Sequence, residues 1–336
     1  MKIAVIGAGA IGGLVGAKLA LAGEDVTFVV RGENLKAIQR DGIALISAEG
    51  ERSVTREVKA TDDYAAAGPQ DIVVLAMKAH QVAAVTADVP KLFGPETVVV
   101  TMQNGIPYWY FHKHGGPLEG SGVRSVDPDG SIIKAIPAER VIGCVVYPAS
   151  ELIVPGVVKH IEGDRLPVGE LDGSSSERVQ RVSACFANAG FKAPVLDNIR
   201  AEIWLKLWGN LTFNPISSLS HSTLVDICQY PPSRELASAM MREAQAVAHK
   251  LGIEFRVSLE KRIAGAEKVG KHKTSMLQDV EAGRAPEIDA LVGAVVELAQ
   301  LTDTPTPHIS TVHALVKLLA RTMQTQCGQV RMQEMA

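Results

Sequence analysis

Along the first hundred residues, short uninterrupted apolar runs alternate with stretches whose apolar positions recur at helical spacing. "KIAVI" is such a run, the glycine-rich "GAGAIGG" follows it, and "LVGAKLALAG" continues with a helical rhythm that stops at Gly23. "DVTFVV", "DIVVLAMKA" and "ETVVVTMQNG" are further runs of the same kind. A strand that is apolar at every position is buried on both faces, as in a parallel sheet covered by helices, so the pattern predicts βαβ units in a doubly wound α/β sheet. From about 107 to 140 the rhythm is lost in a Gly-, Pro- and Ser-rich stretch that opens with Tyr108, Trp109, Tyr110 and Phe111. An insertion that long inside a compact domain predicts a short hairpin or a lid.

Strand-like runs resume at "VIGCVVYPASEL", "GVVKHIEG" and "RLPVGEL", which predicts antiparallel strands closing the sheet. "SSSERVQRVSACFANAG" reads as a helix capped by its serines and stopped by Gly190. After Asp197 the pattern is helical, with helices expected at about 198–213, 233–251, 256–267, 286–301 and 308–324. This change of class predicts a first domain over 1–197, containing the 107–140 insertion, a helical domain over 198–330, and a tail at 331–336.

Composition narrows the function classes. At 336 residues the chain exceeds what one core usually serves, in keeping with two domains, and 46% hydrophobic with 21% charged residues is the make-up of a soluble globular protein. A net charge of -3 and a pI near 6.3 give no general attraction for nucleic acid or an anionic membrane, so neither is an expected partner. Cys144, Cys185, Cys228 and Cys327 lie far apart without a CxxC pair, which predicts reduced thiols in a cytoplasmic protein and no metal site. The opening lysine and apolar run superficially match a signal peptide, but four glycines within seven residues would break its helix.

Gly7, Gly9 and Gly12 form GxGxxG directly after a strand and at the start of a helix. In that setting the first glycine permits the tight turn, the second lets the backbone approach a pyrophosphate, and the third allows close helix packing, with the helix N-terminus facing the anion. The loop Gly7, Ala8, Gly9, Ala10, Ile11 and Gly12 is therefore expected to bind a dinucleotide. At the end of the second strand, where an NAD enzyme places a carboxylate for the ribose hydroxyls, this chain has Arg31, whose guanidinium suits a 2'-phosphate. NADPH is thus favoured; the alternative is a solvated Arg31 with Glu33 serving the ribose. Lys78 and Asn104 follow the third and fourth apolar strands, at the carboxyl ends where open α/β sheets bind ligands.

In the helical half, "WLKLWGNLTFNP" carries Lys206, Asn210 and Asn214 at intervals of four, one polar stripe flanked by Trp204, Leu207, Trp208 and Leu211. Such a stripe is either a wet face or the wall of a polar pocket. Ser275 and Glu287 lie in "TSMLQDVEAGRAPEID", where Pro286 suits the first turn of a helix and Glu287 would sit favourably at its start. The aromatics at 108–111 are expected to pack a lid or a subunit contact, and His80, His112 and His114 are expected to be ordinary loop residues.

The N-terminal GxGxxG, "MKAHQV", "QNG", "NIRAEIWLKLWGNLTFNP" and "TSMLQDVEAGRAPEID", in this order, resemble the ketopantoate reductase family, the 2-dehydropantoate 2-reductases of pantothenate and coenzyme A synthesis. The resemblance spans nearly the whole chain apart from the insertion after Asn104. It implies a Rossmann-type NADP-binding domain followed by an all-α domain of the 6-phosphogluconate dehydrogenase C-terminal-like type. It also implies NADPH-dependent reduction of 2-dehydropantoate to pantoate. By the same resemblance Lys206 is the catalytic lysine and Glu287 the catalytic-site carboxylate. Asn210, Asn214 and Ser275 hold the substrate's hydroxyl and carboxylate groups, and Asn104 and Lys78 lie beside nicotinamide and substrate, the stripe facing the cleft between domains.

Two features depart from the family pattern. His272 stands where some relatives have an asparagine, three residues before Ser275, and the aromatic insertion is long. They leave open a related reductase acting on another branched 2-keto acid, and, from a different class, a non-catalytic NADP-binding sensor. A homodimer sealed by exposed aromatics is a further expectation.

Overall fold

The computed structural model describes residues 1–332, and the chain divides into two compact units. One comprises Met1–Gln103, Tyr108–Gly122 and Asp127–Ile199; the other comprises Asn104–Pro107, Val123–Val126 and the chain from Arg200 onward. Of the tail assigned to 331–336, residues 333–336 lie outside the described residues.

The first unit runs β1 (Lys2–Ile6), α1 (Ala10–Leu21), β2 (Asp25–Val29), α2 (Gly32–Asp41), β3 (Ile43–Ile46), β4 (Arg52–Thr55), β5 (Val58–Thr61), α3 (Tyr64–Ala67), β6 (Gln70–Leu75) and β7 (Phe93–Thr101). It continues with α4 (Ser131–Ala135), β8 (Val141–Cys144), β9 (Ala149–Val154), β10 (Val157–Glu162), β11 (Val168–Gly169) and α5 (Glu177–Asn188). The main sheet has the order β11-β8-β7-β6-β1-β2-β5 and is parallel apart from β11. From β1 the chain builds outward through β2 to β5, then returns to β1's other side with β6. The carboxyl ends of β1 and β6 therefore flank the switch point at which such sheets open a ligand crevice. The apolar runs are fully buried strands: Ile3, Val5, Ile72, Val74 and Val100 are all 0% exposed.

The strands after the insertion do not close this sheet as the sequence pattern predicts. Val141–Cys144 pairs in parallel with β7, and only the two-residue β11 is antiparallel there. The next two strands join the β3–β4 hairpin in a separate four-stranded sheet, β4-β3-β10-β9. Helix α1 packs on both sheets: a Cβ at Gly13 would stand 2.4 Å from Val158 of β10, and one at Gly16 would stand 2.4 Å from the Phe28 ring of β2. A helix covered on two sides has no solvent stripe, so small residues line it instead of an amphipathic pattern. Ser176 caps α5 by accepting from the Val179 amide, and Gly190 takes positive φ beyond its end, as expected.

The insertion forms neither a hairpin nor an exposed aromatic lid. No strand occurs among residues 102–140, and Trp109, Tyr110 and Phe111 are at most 2% exposed. Trp109 lies against Gly143 of β8 and donates Nε1–H to Thr101 Oγ1 at 3.1 Å, while the Tyr108 hydroxyl donates to the Ile136 carbonyl at 3.0 Å. Burial lifts the Tyr108 phenol well above its ordinary pKa, so it stays a donor. Large rings whose polar tips find a hydrogen-bond partner, as Tyr108 and Trp109 do, can be buried at little cost.

The second unit contains α6 (Ile199–Ser220), α7 (Leu224–Gln229), α8 (Pro231–Lys250), α9 (Leu259–Lys268), α10 (Ser275–Glu281), a π turn (Asp289–Gly293), α11 (Ala294–Leu301) and α12 (Pro307–Thr325). Helix α6 continues through Pro215 instead of stopping near 213. The proline removes one backbone donor, a loss offset by burial of Leu211, Phe213 and Ile216 on the same segment. The helix expected from 286 starts later, with a π turn at Asp289, so Glu287 precedes it in non-helical backbone. No helix among the described residues is long and apolar enough to cross a membrane.

Candidate active site

In the first unit, β1 delivers the chain into the glycine loop at Ile6. Gly7 adopts φ +95° and its amide donates to the Val29 carbonyl at 3.1 Å, fastening the turn to β2. A Cβ on Gly12 would stand 1.8 Å from the Gly7 carbonyl oxygen, whereas one on Gly9 would meet nothing within 4 Å. The loop is therefore closed against itself at Gly12 and open on its outer surface at Gly9. Gly9 caps α1 without a side chain, and the first intrahelical bond runs from the Gly13 amide to the Gly9 carbonyl at 2.8 Å. The N–H groups of Ala10, Ile11 and Gly12 thus have no acceptor within the helix and carry its positive end, a setting that fits a pyrophosphate.

Arg31 occupies the N-cap position of α2, exposed, at the end of β2. The Glu33 carboxylate, its competitor for the ribose, engages Lys36 at 2.7 Å. Lys78 is half-buried beyond β6, with its backbone amide held by Gln81 Oε1 at 3.1 Å. Gln103, which the sequence did not single out, donates Nε2–H to the carbonyls of Leu75 (2.8 Å) and Met77 (3.1 Å), tying the carboxyl ends of β6 and β7 together. Its place beside Asn104 was the available signal, but hydrophobic spacing says nothing about which amide satisfies strand-end carbonyls.

In the second unit, Lys206 projects half-buried from α6 and its Nζ donates to Asn104 Oδ1 at 2.7 Å. Asn104 is 102 positions away in sequence and arrives on a short loop that docks on the π turn. There the Ile106 amide donates to the Ala290 carbonyl at 2.9 Å. Gly105 takes φ +94°, and a Cβ on it would stand 2.2 Å from the same carbonyl oxygen. Ala290 follows Glu287 by three residues, so the lysine's partner loop and the carboxylate are carried on adjoining backbone.

Asn210 is half-buried and Asn214 only 5% exposed, one and two turns beyond Lys206. Their side chains continue the line that Lys206 begins, at the four-residue spacing that keeps all three on one side of α6. On another face, Trp204 and Trp208 are 0% exposed and Trp208 Nε1 donates to the Met241 carbonyl at 2.8 Å, anchoring α6 in its own unit. Ser275 is exposed at the first position of α10, behind a Thr274 cap whose hydroxyl accepts from the Leu277 amide at 3.3 Å. It makes no hydrogen bond to the stripe. His272 is half-buried, its amide donating to the Gly270 carbonyl at 2.7 Å. No cluster of three or more His, Cys, Asp or Glu able to hold a metal occurs among the described residues.

Comparisons with known proteins agree with this anatomy. Residues 3–173 match the family model "Ketopantoate reductase PanE/ApbA", and residues 198–320 match "Ketopantoate reductase PanE/ApbA C terminal". A 2-dehydropantoate 2-reductase of Mesorhizobium japonicum is 53% identical over 321 residues, covering 95% of this chain and 98% of that protein. The crystal structure of 2-dehydropantoate 2-reductase from Methylococcus capsulatus superposes with a TM-score of 0.82 at 30% identity, covering 96% of this chain and 98% of that one. D-mandelate dehydrogenase, solved with NADH and anilino(oxo)acetate, shares the fold at 22% identity and a TM-score of 0.81 over 96% of this chain and all (100%) of that one. The two matched models and the near full-length identity place the chain in the ketopantoate reductase family.

Proposed function

We propose that this protein is a 2-dehydropantoate 2-reductase that uses NADPH to form pantoate. The observation that carries the reading is the Lys206–Asn104 pair, a half-buried ammonium that donates to an amide oxygen at 2.7 Å, with Asn210 and Asn214 continuing the same helix face. Bound NADPH supplies the hydride. When the substrate's 2-keto carbon accepts it, negative charge develops on the keto oxygen. Lys206 stabilises that charge and transfers a proton from Nζ to the oxygen, leaving an alcohol and a neutral amine that solvent reprotonates. Asn104 orients the ammonium by accepting a hydrogen bond from it, and Glu287 is assigned as the catalytic-site carboxylate that helps orient it. Asn210 and Asn214 hold the substrate's hydroxyl and carboxylate, joined by Ser275. The chain's own groups thus account for the proton and the alignment.

The preference for NADPH rests on Arg31 at the end of β2, with Glu33 turned to Lys36. Lys78, beyond β6, is assigned to the cofactor's nicotinamide end. Cytoplasmic residence fits reduced, mostly buried cysteines. A homodimer remains part of the reading, without the aromatic seam, because Tyr108–Phe111 are buried. The test is NADPH oxidation with 2-dehydropantoate, run beside NADH and beside 2-ketoisovalerate, which lacks the distal hydroxyl. Turnover of 2-dehydropantoate with NADPH, and much slower turnover in either control, is the expected result. Binding of NADPH with an inert 2-dehydropantoate would reject the substrate.

A further inference from the structure

Asn34 lies in the first turn of α2, three residues beyond Arg31, and both ends of its side-chain amide are in use. Its Nδ2 donates to the Ala8 carbonyl at 3.1 Å, and its Oδ1 accepts from the Gly156 amide at 3.1 Å. Ala8 belongs to the glycine loop, while Gly156 forms the turn between β9 and β10. The Gly156 carbonyl accepts from the Ala44 amide at 2.9 Å, and a Cβ on Gly156 would stand 3.3 Å from that of Ala37 on α2. One amide therefore joins the phosphate loop, the start of the helix behind Arg31, and the second sheet.

We propose that Asn34 is a positioning residue for the dinucleotide, an inference that rests on the cofactor reading above. In a planar trans peptide the Ala8 carbonyl and the Gly9 N–H point in opposite directions. Holding that carbonyl against α2 turns the Gly9 N–H outward, to the side where a Gly9 Cβ would find no atom within 4 Å. The amides of Ala10 and Ile11 stand next along the chain, in the first turn of α1. Only a side chain that donates at one end and accepts at the other meets both partners: aspartate would set a carboxylate against the Ala8 carbonyl and add negative charge beside a pyrophosphate, and alanine would release both.

Pyrophosphate is common to NADPH and NADH, whereas the 2'-phosphate that Arg31 is proposed to meet is not. Asn34→Ala and Asn34→Asp are therefore expected to raise the Kd for both dinucleotides by a common factor on the order of tenfold, the scale of one or two lost hydrogen bonds. The NADPH-to-NADH ratio should stay at its wild-type value, with kcat at saturating NADPH held to within about twofold on the same scale. Arg31→Ala should change the ratio instead. Fluorescence titration with each cofactor, beside thermal melting of each variant, reads these outcomes. A lowered melting midpoint with wild-type Kd values would overturn the proposal by making Asn34 merely structural, as would a loss confined to NADPH. Wild-type protein that binds neither dinucleotide would overturn the cofactor reading itself, and the inference with it.

Discussion

The glycine loop and the Lys206 helix are built by opposite means. The loop works through missing side chains: its surface is backbone N–H, and its shape depends on there being no Cβ at Gly12, 1.8 Å from the Gly7 oxygen. Helix α6 works through side chains on regular backbone, with Lys206, Asn210 and Asn214 in one stripe and tryptophans on another face. On the proposed reading, a cofactor phosphate common to many enzymes would be met by main chain, which cannot mutate, and the reacting carbonyl by side-chain chemistry, which can. The first region should respond to added volume and the second to changed chemistry.

The largest break in that contrast is expected at Lys206. Lys206→Ala should lower kcat about 10³-fold, within the usual range for losing a general acid, while NADPH Kd from fluorescence titration stays near wild type. Equal kcat in the variant would sink the assigned role. In the loop, Gly12→Ala and Gly9→Ala should part company. The first forces the loop open and should lower the melting midpoint and weaken NADPH about 100-fold, a scale set by overpacking of 1–3 kcal/mol. The second meets no protein atom and should leave the midpoint unchanged while still weakening the cofactor. If both melt alike, the loop is not closed at one glycine and open at the other.

Gly105→Ala sharpens the contrast, because it adds volume in the side-chain half. Its Cβ would collide with the Ala290 carbonyl and displace Asn104 from Lys206, so steady-state assays should find kcat reduced about tenfold, the scale of one displaced charged hydrogen bond, with little change in NADPH Kd. The smallest effect concerns the π turn. Burial lowers the His313 pKa, opposed by Asp289, and its Nε2 has no hydrogen-bond partner among the described residues. A histidine that binds its proton more weakly folded than unfolded makes stability fall as pH drops through and below the unfolded value near 6.5. Melting midpoints across that window should decline for wild type and decline less for His313→Gln; parallel curves would show that His313 does not contribute.

Much of this was legible in sequence where the signal is local. Gly7, Gly9 and Gly12 announce their turn through spacing together with the strand before and the helix after, and the 206/210/214 stripe follows from helical periodicity. The second sheet was not legible: β3, β4, β9 and β10 are short, and their pairing across more than a hundred residues leaves no periodic trace. The aromatics at 108–111 misled because an irregular stretch suggests surface, whereas the rings fill core beside Gly143. The helix expected to end near 213 runs on through Pro215 to Ser220, where tertiary burial outweighs the lost backbone donor. Asn34 and Gln103 escaped notice because their partners are backbone carbonyls and amides, which sequence does not distinguish.

The most direct test of the account is a double-mutant cycle on kcat with Lys206→Ala, Asn104→Ala and the double variant. If Asn104 acts by holding the Lys206 ammonium, the double variant should be no slower than Lys206→Ala alone. Losses that simply multiply would contradict the account, because the two residues would then act independently despite the 2.7 Å bond between them.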